Sequence, residues 1–160
     1  MSNKLNKKFL FSILIFISLV IIYAYFIEYK LDHTPCKLCL YERIPYFLSA
    51  LLIAKILFFQ KYEKITLLII SLVFALSAAL AFYHFGIEQG FFTESFACKT
   101  EDFSNTISKE ELLEKLKYNT VSCKEVSFKI LGLSLAAINT IVSVILSVIF
   151  IRLFMNYGKN

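Results

Sequence analysis

The chain has 160 residues, room for about one domain, yet 58% of them are hydrophobic and only 18% are charged. That balance excludes an ordinary water-soluble domain and points to lipid as the solvent. The formal net charge of +5 is spread as lysines flanking apolar runs rather than gathered in one patch, so nucleic acid is not an expected partner.

The first apolar run, residues 9–27, follows three lysines, as the core of a signal peptide would. Its length exceeds a signal core and no small-x-small cleavage site follows, so it reads as an uncleaved first helix. An outer loop, residues 28–43, leads to a second run at 44–60. This run is short and carries Lys55, but the lysine lies near one end, where its amine can reach the headgroups. The brief connection "QKYEK" leads to the third run at 65–85. A long outer segment, 86–129, precedes the fourth run at 130–151. Crossing a hydrocarbon core of about 30 Å takes roughly 20 helical residues, and all four runs are read as spans. The expected fold is an all-α membrane protein: a single domain over residues 1–160, built as an up-down-up-down bundle of four transmembrane helices.

Charge orients the bundle. Lys4, Lys7, Lys8, Lys61, Lys64, Arg152 and Lys159 against Glu63 leave +6 on the side of the termini. Residues 28–43 balance at zero, and six lysines against eight acids leave −2 on residues 86–129. Both termini are therefore expected in the cytoplasm, with every cysteine on the opposite face.

Gly132, Ala136, Thr140, Ser143 and Ser147 form a small, partly polar stripe on the fourth run, and Ser71, Ala75 and Ala79 one on the third. Such stripes let backbones approach where hydrophobicity cannot drive association. Asn139 beside the stripe is expected to hydrogen-bond between helices. Tyr29, Tyr41, Tyr46, Tyr62, Tyr83 and Tyr157 fall near helix ends, as interfacial aromatics do. Within the long outer segment, "ISKEELLEKLK" carries a helix start: Ser108 as N-cap, Glu111 three residues on, and Ile107 placed to staple against Leu112. Leu112, Leu113 and Leu116 make one face apolar. A short amphipathic helix is expected there, either on the membrane surface or covering the bundle.

Four cysteines on the outer face form an even set where disulfides persist, with three possible pairings. One pair per loop, Cys36 with Cys39 and Cys98 with Cys123, is the most economical. A bond between Cys98 and Cys123 is well explained as a staple worth about 3 kcal/mol. Cys36 and Cys39 enclose too small a loop for that, and two-residue spacing is the usual form of a redox-active pair. A four-cysteine zinc site is disfavoured, because the second pair is not close in sequence; no metal is expected. Lys37, His33 and Arg43 are local cations able to stabilise a thiolate. Arg43 lies one turn beyond Cys39 if the helix runs through, but Pro45 biases Ile44 away from helix, so the helix could instead begin around Pro45. By charge alone Glu42 and Arg43 read as an interfacial pair, and His84 as an interfacial histidine. Yet Arg43 opens the second span and His84 closes the third at the depth of the cysteine pair. That combination points to a site for a lipid-soluble redox partner.

At "PCKLCLYER", "YHFGIE" and "CKEVSFKILGLSLAAIN" the chain resembles the DsbB family of bacterial inner-membrane thiol oxidases. The likeness covers nearly the whole chain. It implies a relay: Cys98 forms a mixed disulfide with a reduced, DsbA-like periplasmic thiol protein, and Cys123 is its partner. Cys36 and Cys39 then reoxidise that pair, with Cys39 passing electrons to a quinone, ubiquinone or menaquinone. By the same resemblance Arg43 holds a quinone oxygen and His84 lies near the ring. Two other readings stay open. A quinone-linked reductase of the vitamin K epoxide reductase type also carries a C-x-x-C pair, though in that family near the last span rather than before the second. A non-enzymatic scaffold with two structural disulfides would keep its cysteines oxidised and never form mixed disulfides.

Overall fold

A computed structural model describes residues 6–31, 34–59, 61–93, 98, 123, 124, 129, 130 and 132–157. The first apolar run becomes α1, Lys7–Lys30. Asn6 starts it by accepting from the backbone N–H groups of Lys8 and Phe9 at 3.1 and 3.4 Å. Lys30 in its last turn sits against the negative end of the helix dipole.

The outer loop then winds into a five-residue helix, α2, Lys37–Tyr41. Of the two readings around Pro45, the structure takes the second. α2 stops at Tyr41, Glu42 and Arg43 form a turn, and α3 runs Ile44–Phe58 with Pro45 in its first turn, where no N–H is needed. A left-handed Tyr62, φ 64°, feeds α4, Glu63–Glu88. Lys55 does not simply extend to headgroups: its Nζ donates to Thr66 Oγ1 at 3.1 Å, tying the end of α3 to the start of α4. α4 ends in a Schellman motif. The Gly90 N–H reaches the Ile87 carbonyl at 3.0 Å and the Phe91 N–H the Gly86 carbonyl at 2.8 Å, with Gly90 at φ 78°. The Phe92 ring folds back over Gly86, where a Cβ would collide with the ring's Cδ2 and Cε2.

The fourth run departs from expectation. It opens as a small hairpin, β1 (Lys129–Ile130) antiparallel to β2 (Leu133–Ser134), turning at Gly132 with φ 84°. Ser134 then caps α5, Leu135–Asn156, accepting from the Ala137 N–H at 3.2 Å. The helix therefore begins five residues after the expected Ile130, and Gly132 belongs to a turn rather than to the helical stripe. The expected amphipathic helix over 108–117 lies outside the described residues.

α1, α4 and α5 are long and apolar enough to cross a membrane. α3, with 15 residues, is shorter than the roughly 20 that a perpendicular crossing takes. α4 and α5 lie along each other, and α1 packs on α3. Leu10, Ile17, Ile53, Leu67, Ile70, Phe74 and Phe150 fill the space between them. Phe11, Ile22, Leu51, Leu72, Leu76 and Ile145 point outward. Helices apolar on all sides, with large side chains exposed, belong in lipid. Between α4 and α5 the polar stripe works as expected: Ser71 Oγ donates to the Ser147 carbonyl at 3.1 Å and Ser147 Oγ to the Ser71 carbonyl at 3.0 Å. On α4, however, Ala75 and Ala79 are exposed, and the inward face continues from Ser71 through Phe74, Ser77, Ala81 and His84.

Candidate functional site

Cys36 is the N-cap of α2, its Sγ accepting from the Cys39 N–H at 3.2 Å. One helical turn brings the two sulfurs 2.7 Å apart, both as free thiols. A disulfide bond of about 2.05 Å is a small movement away. Cys36 is buried and Cys39 half-buried.

His84, near the end of α4, meets this pair from the side. Its Nε2 lies 3.5 Å from Cys36 Sγ. Its Nδ1 donates to Glu42 Oε1 at 2.7 Å, with both side chains more than nine-tenths buried. The other Glu42 oxygen accepts from Asn139 Nδ2 at 2.6 Å, and Asn139 Oδ1 accepts from the Tyr46 hydroxyl at 2.5 Å. Each group orients the next, so a chain of polar atoms from four elements fixes the imidazole opposite the sulfur. Glu88, one turn beyond His84, brings a carboxylate oxygen to 3.9 Å from Nε2.

Arg43 faces the other way. Its Nη1 donates to Glu28 of α1 at 2.5 Å, and the guanidinium lies 4.9 Å over the Tyr25 ring. Glu42 and Arg43 therefore do not form the expected interfacial pair: Glu42 is buried on His84, and Arg43 binds Glu28. Nor is Tyr46 an interfacial aromatic, since it is 4% exposed and packs edge-on against Phe74.

The hydrogen bond from Cys39 holds the Cys36 thiol down at about 5, against the opposing effect of burial, and His84 adds to the lowering by hydrogen bond and charge. The same bond pushes Cys39 up, together with burial and the charges on Cys36 and Glu42. The pair thus shares one proton, with the thiolate on Cys36 and the thiol on Cys39. Cys39 and His84 stabilise the thiolate, in place of the Arg43 and Lys37 expected from the sequence; His33 lies outside the described residues.

Cys98 and Cys123 form a disulfide across 25 residues. They pack with Cys36, Leu38 and Ile87 in one buried cluster, against which Cys39, Leu80 and Tyr83 lean. Both cysteine pairs therefore share one end of the bundle. Beside them opens a cleft of about 440 Å³ between α1, α3, α4 and α5. Its walls include Phe16, Leu19, Val20, Ile138 and Val142, and Cys36, Cys39, Arg43 and His84 line it with Glu28, Glu42, Glu88 and Asn139.

All six residues singled out from the sequence thus gather at this end, four on the cleft and two in the adjoining cluster. Glu42, Glu28, Glu88 and Tyr46 were not anticipated as site residues. Glu42 offered one signal, a carboxylate at the head of an apolar run, but its neighbour Arg43 accounted for that locally. Cys36, Cys39 and His84 also offer three metal-ligand atoms within 4.8 Å of one another.

A family model described as "Disulfide bond formation protein DsbB" matches residues 6–153. The chain is 31% identical over 161 residues to "Uncharacterized protein RP370" of Rickettsia prowazekii (strain Madrid E), a match covering 99% of this chain and 93% of that one. No solved structure matches it.

Proposed function

The chain belongs to the DsbB family, and from that premise we propose that it is a thiol:quinone oxidoreductase of the bacterial inner membrane that reoxidises a DsbA-like periplasmic thiol protein. The observation that carries this reading is the packing of both cysteine pairs into one buried cluster beside an apolar cleft. In this proposal α3 is the second of four spans, its short length met by local thinning of the bilayer and by flanking side chains that reach to the headgroups. The lysine distribution supports cytoplasmic termini and periplasmic cysteines.

The relay is thiol–disulfide exchange. A thiolate of the partner attacks Cys98 Sγ, the Cys98–Cys123 bond breaks, and Cys123 leaves as a thiolate. The partner's second thiolate displaces Cys98, so the partner departs oxidised and two electrons stay on the outer pair. A thiolate of that pair attacks the Cys36–Cys39 disulfide, and a second exchange restores Cys98–Cys123 and leaves Cys36 and Cys39 reduced. The one-proton state of the reduced pair favours this direction, since stabilising the thiolate makes a couple more oxidising.

The cleft fits a quinone: its walls suit a flat apolar ring, Arg43 is the donor that would hold a ring oxygen, and His84 lines the wall near the ring. Quinone, when bound, supplies the two-electron, two-proton acceptor that a dithiol needs. The chain's own residues manage the protons. Cys39 keeps one on its sulfur, and His84 Nε2, fixed through Nδ1 by Glu42, faces the sulfur that gave up the other.

The test is quinone absorbance in detergent after adding a reduced DsbA-like protein. Bleaching by the wild type and none by Cys39→Ser is the expected result. Equal bleaching by both would overturn the relay. With Cys123→Ser, Cys98 should stay bonded to the partner, a trapped species that a scaffold with two inert disulfides would not give.

A further inference from the structure

We propose that the reduced Cys36–Cys39 pair, with His84 and Glu88, is a binding site for one thiophilic divalent cation of the zinc class. Zinc looked unfavourable in the sequence because the four cysteines make a poor tetrad. The fold supplies the missing ligands from α4 instead.

Three ligand atoms, the two sulfurs and His84 Nε2, already lie within 4.8 Å of one another. Zinc–sulfur bonds of about 2.3 Å and zinc–nitrogen bonds of about 2.0 Å put tetrahedral ligands roughly 3.3–3.8 Å apart. Cys36 Sγ and His84 Nε2, at 3.5 Å, meet that spacing as they stand. The sulfurs, at 2.7 Å, need to open by about 1 Å.

His84 is also held as a metal ligand is held. Its Nδ1 proton goes to Glu42, whose other oxygen is pinned by Asn139, so that Nε2, once it gives up its own proton, presents its lone pair to the sulfurs. A carboxylate behind the histidine is the usual outer partner of zinc-bound imidazole. Glu88 supplies an independent sign. Its side chain is 7% exposed and its Oε2 is buried with no hydrogen-bond partner among the described residues, while its other oxygen stands 3.9 Å from His84 Nε2. A buried carboxylate oxygen without a donor is costly, and a cation among these four side chains would satisfy it. Two sulfurs, one imidazole and one carboxylate select zinc over calcium or magnesium.

Binding exchanges protons for metal. The cation displaces the thiol proton that remains on the pair and the Nε2 proton of His84, both of which leave to solvent, and the two sulfurs coordinate as thiolates beside a neutral imidazole. No sulfur–sulfur bond forms or breaks and no electrons move. The oxidised pair has no thiolate to offer, so the site exists only after reduction. A bound cation would then hold the pair reduced and stop turnover; that consequence rests on the relay proposed above, whereas binding itself does not.

The experiment uses the full chain in detergent with Cys98→Ser and Cys123→Ser, so that Cys36 and Cys39 are the remaining thiols. After phosphine reduction the sample is titrated with Co²⁺ alone. One equivalent per chain is expected, with thiolate-to-cobalt charge-transfer absorption and tetrahedral ligand-field bands, both bleached by Zn²⁺ and absent before reduction. Glu88→Gln and Glu42→Gln should each weaken binding about 10–100-fold. Cys39→Ser should abolish the charge-transfer band. Cobalt bands that ignore Cys36→Ser and Cys39→Ser would overturn the site. So would a reduced chain that binds no cobalt yet still closes the Cys36–Cys39 disulfide on reoxidation, since that closure reports an intact fold. Cobalt binding by this variant, with a wild-type chain that fails to reduce quinone, would leave this site standing and remove the relay instead.

Discussion

The two halves of the bundle solve the same packing problem with different materials. At the cysteine end, buried Glu42, His84 and Tyr46 and half-buried Asn139 are satisfied by one another, with a free thiol pair against them. Toward the other end the helices meet through Leu10, Ile17, Leu67, Phe74 and Phe150, and the polar contacts there include serine hydroxyls on backbone carbonyls between α4 and α5 and the Tyr157 hydroxyl on Glu63. A buried polar network is worth little net stability if complete and costs much if broken. Apolar packing contributes stability and has no chemistry to lose. The contrast predicts that activity and stability can be separated along the bundle axis.

The largest separation should come from Cys36→Ser. Quinone reduction should fall by more than about a thousandfold, equivalent to about 4 kcal/mol of barrier, while thermal unfolding of the reduced protein in detergent at pH 5, where the Cys36 thiolate contributes little, barely moves. A large loss of stability in this variant would mean that the pair is structural. The opposite experiment is Phe74→Ala. Phe74 is fully buried, edge-on to Tyr46 at 5.5 Å and stacked on Phe150 at 6.1 Å. Truncation should cost about 3 kcal/mol by cavity formation, with quinone reduction per folded molecule kept within a few-fold.

The apolar half was readable from sequence because lipid-facing and core-facing residues are both apolar, so runs alone locate helices. The same property misplaced the start of α5. Ile130 and Leu133 continue the apolar run, and hydropathy does not tell a hairpin from a helix; Gly132 and Ser134, the turn and the cap, carried the information. The expected stripe of Ser71, Ala75 and Ala79 failed for a geometric reason. Steps of four residues drift about 40° each around a helix, so Ala79 has left the face that Ser71 shares with Phe74 and Ser77. In the cysteine half, spacing marked Cys36 and Cys39, the economy of one pair per loop joined Cys98 to Cys123, and depth in the membrane linked Arg43 and His84 to the first pair. Glu42 stayed hidden because a carboxylate beside an arginine reads as a local ion pair. Only the turn between α2 and α3 sends the two side chains in opposite directions, one to His84 and the other to Glu28.

The network's electrostatic work can be read directly. In the reduced chain carrying Cys98→Ser and Cys123→Ser, the iodoacetamide rate should follow thiolate formation with a midpoint near 5. Removing the charge and hydrogen bond of His84 with His84→Ala should raise that midpoint by a unit or more, about 1.4 kcal/mol per unit. Because the folded-state value is depressed, the thiolate contributes fully to the stability of the reduced protein above the ordinary thiol value of about 8.5. That contribution shrinks as pH falls below this value and is gone below about 5. Reduced wild type should therefore lose stability between pH 8 and pH 5 relative to Cys36→Ser. Parallel curves for the two would show that Cys36 carries no stabilised charge.

Arg43 tests where the polar half ends. Its partner Glu28 and the Tyr25 face hold it at the rim of the cleft, with its side chain 14% exposed. Arg43→Ala should weaken quinone affinity about tenfold, about 1.4 kcal/mol, and leave the Cys36 midpoint in place, because Cys39 and His84 set that midpoint. A shifted midpoint with unchanged quinone dependence would reverse the assignment.

The smallest effect lies where the two halves meet the lipid-buried helix pair. Ser71 and Ser147 each donate to the other's carbonyl, so two hydrogen bonds join α4 to α5 at one level. Interhelical hydrogen bonds in lipid average only about 0.6 kcal/mol, because the separated helices find other partners for the same groups. Ser71→Ala and Ser147→Ala should each cost about that much in thermal unfolding. The two bonds share no donor or acceptor atom, so the double variant should cost roughly the sum, about 1.2 kcal/mol. Strong non-additivity would mean that removing one bond lets the helices shift and breaks the other, making this level of the bundle as cooperative as the network around His84.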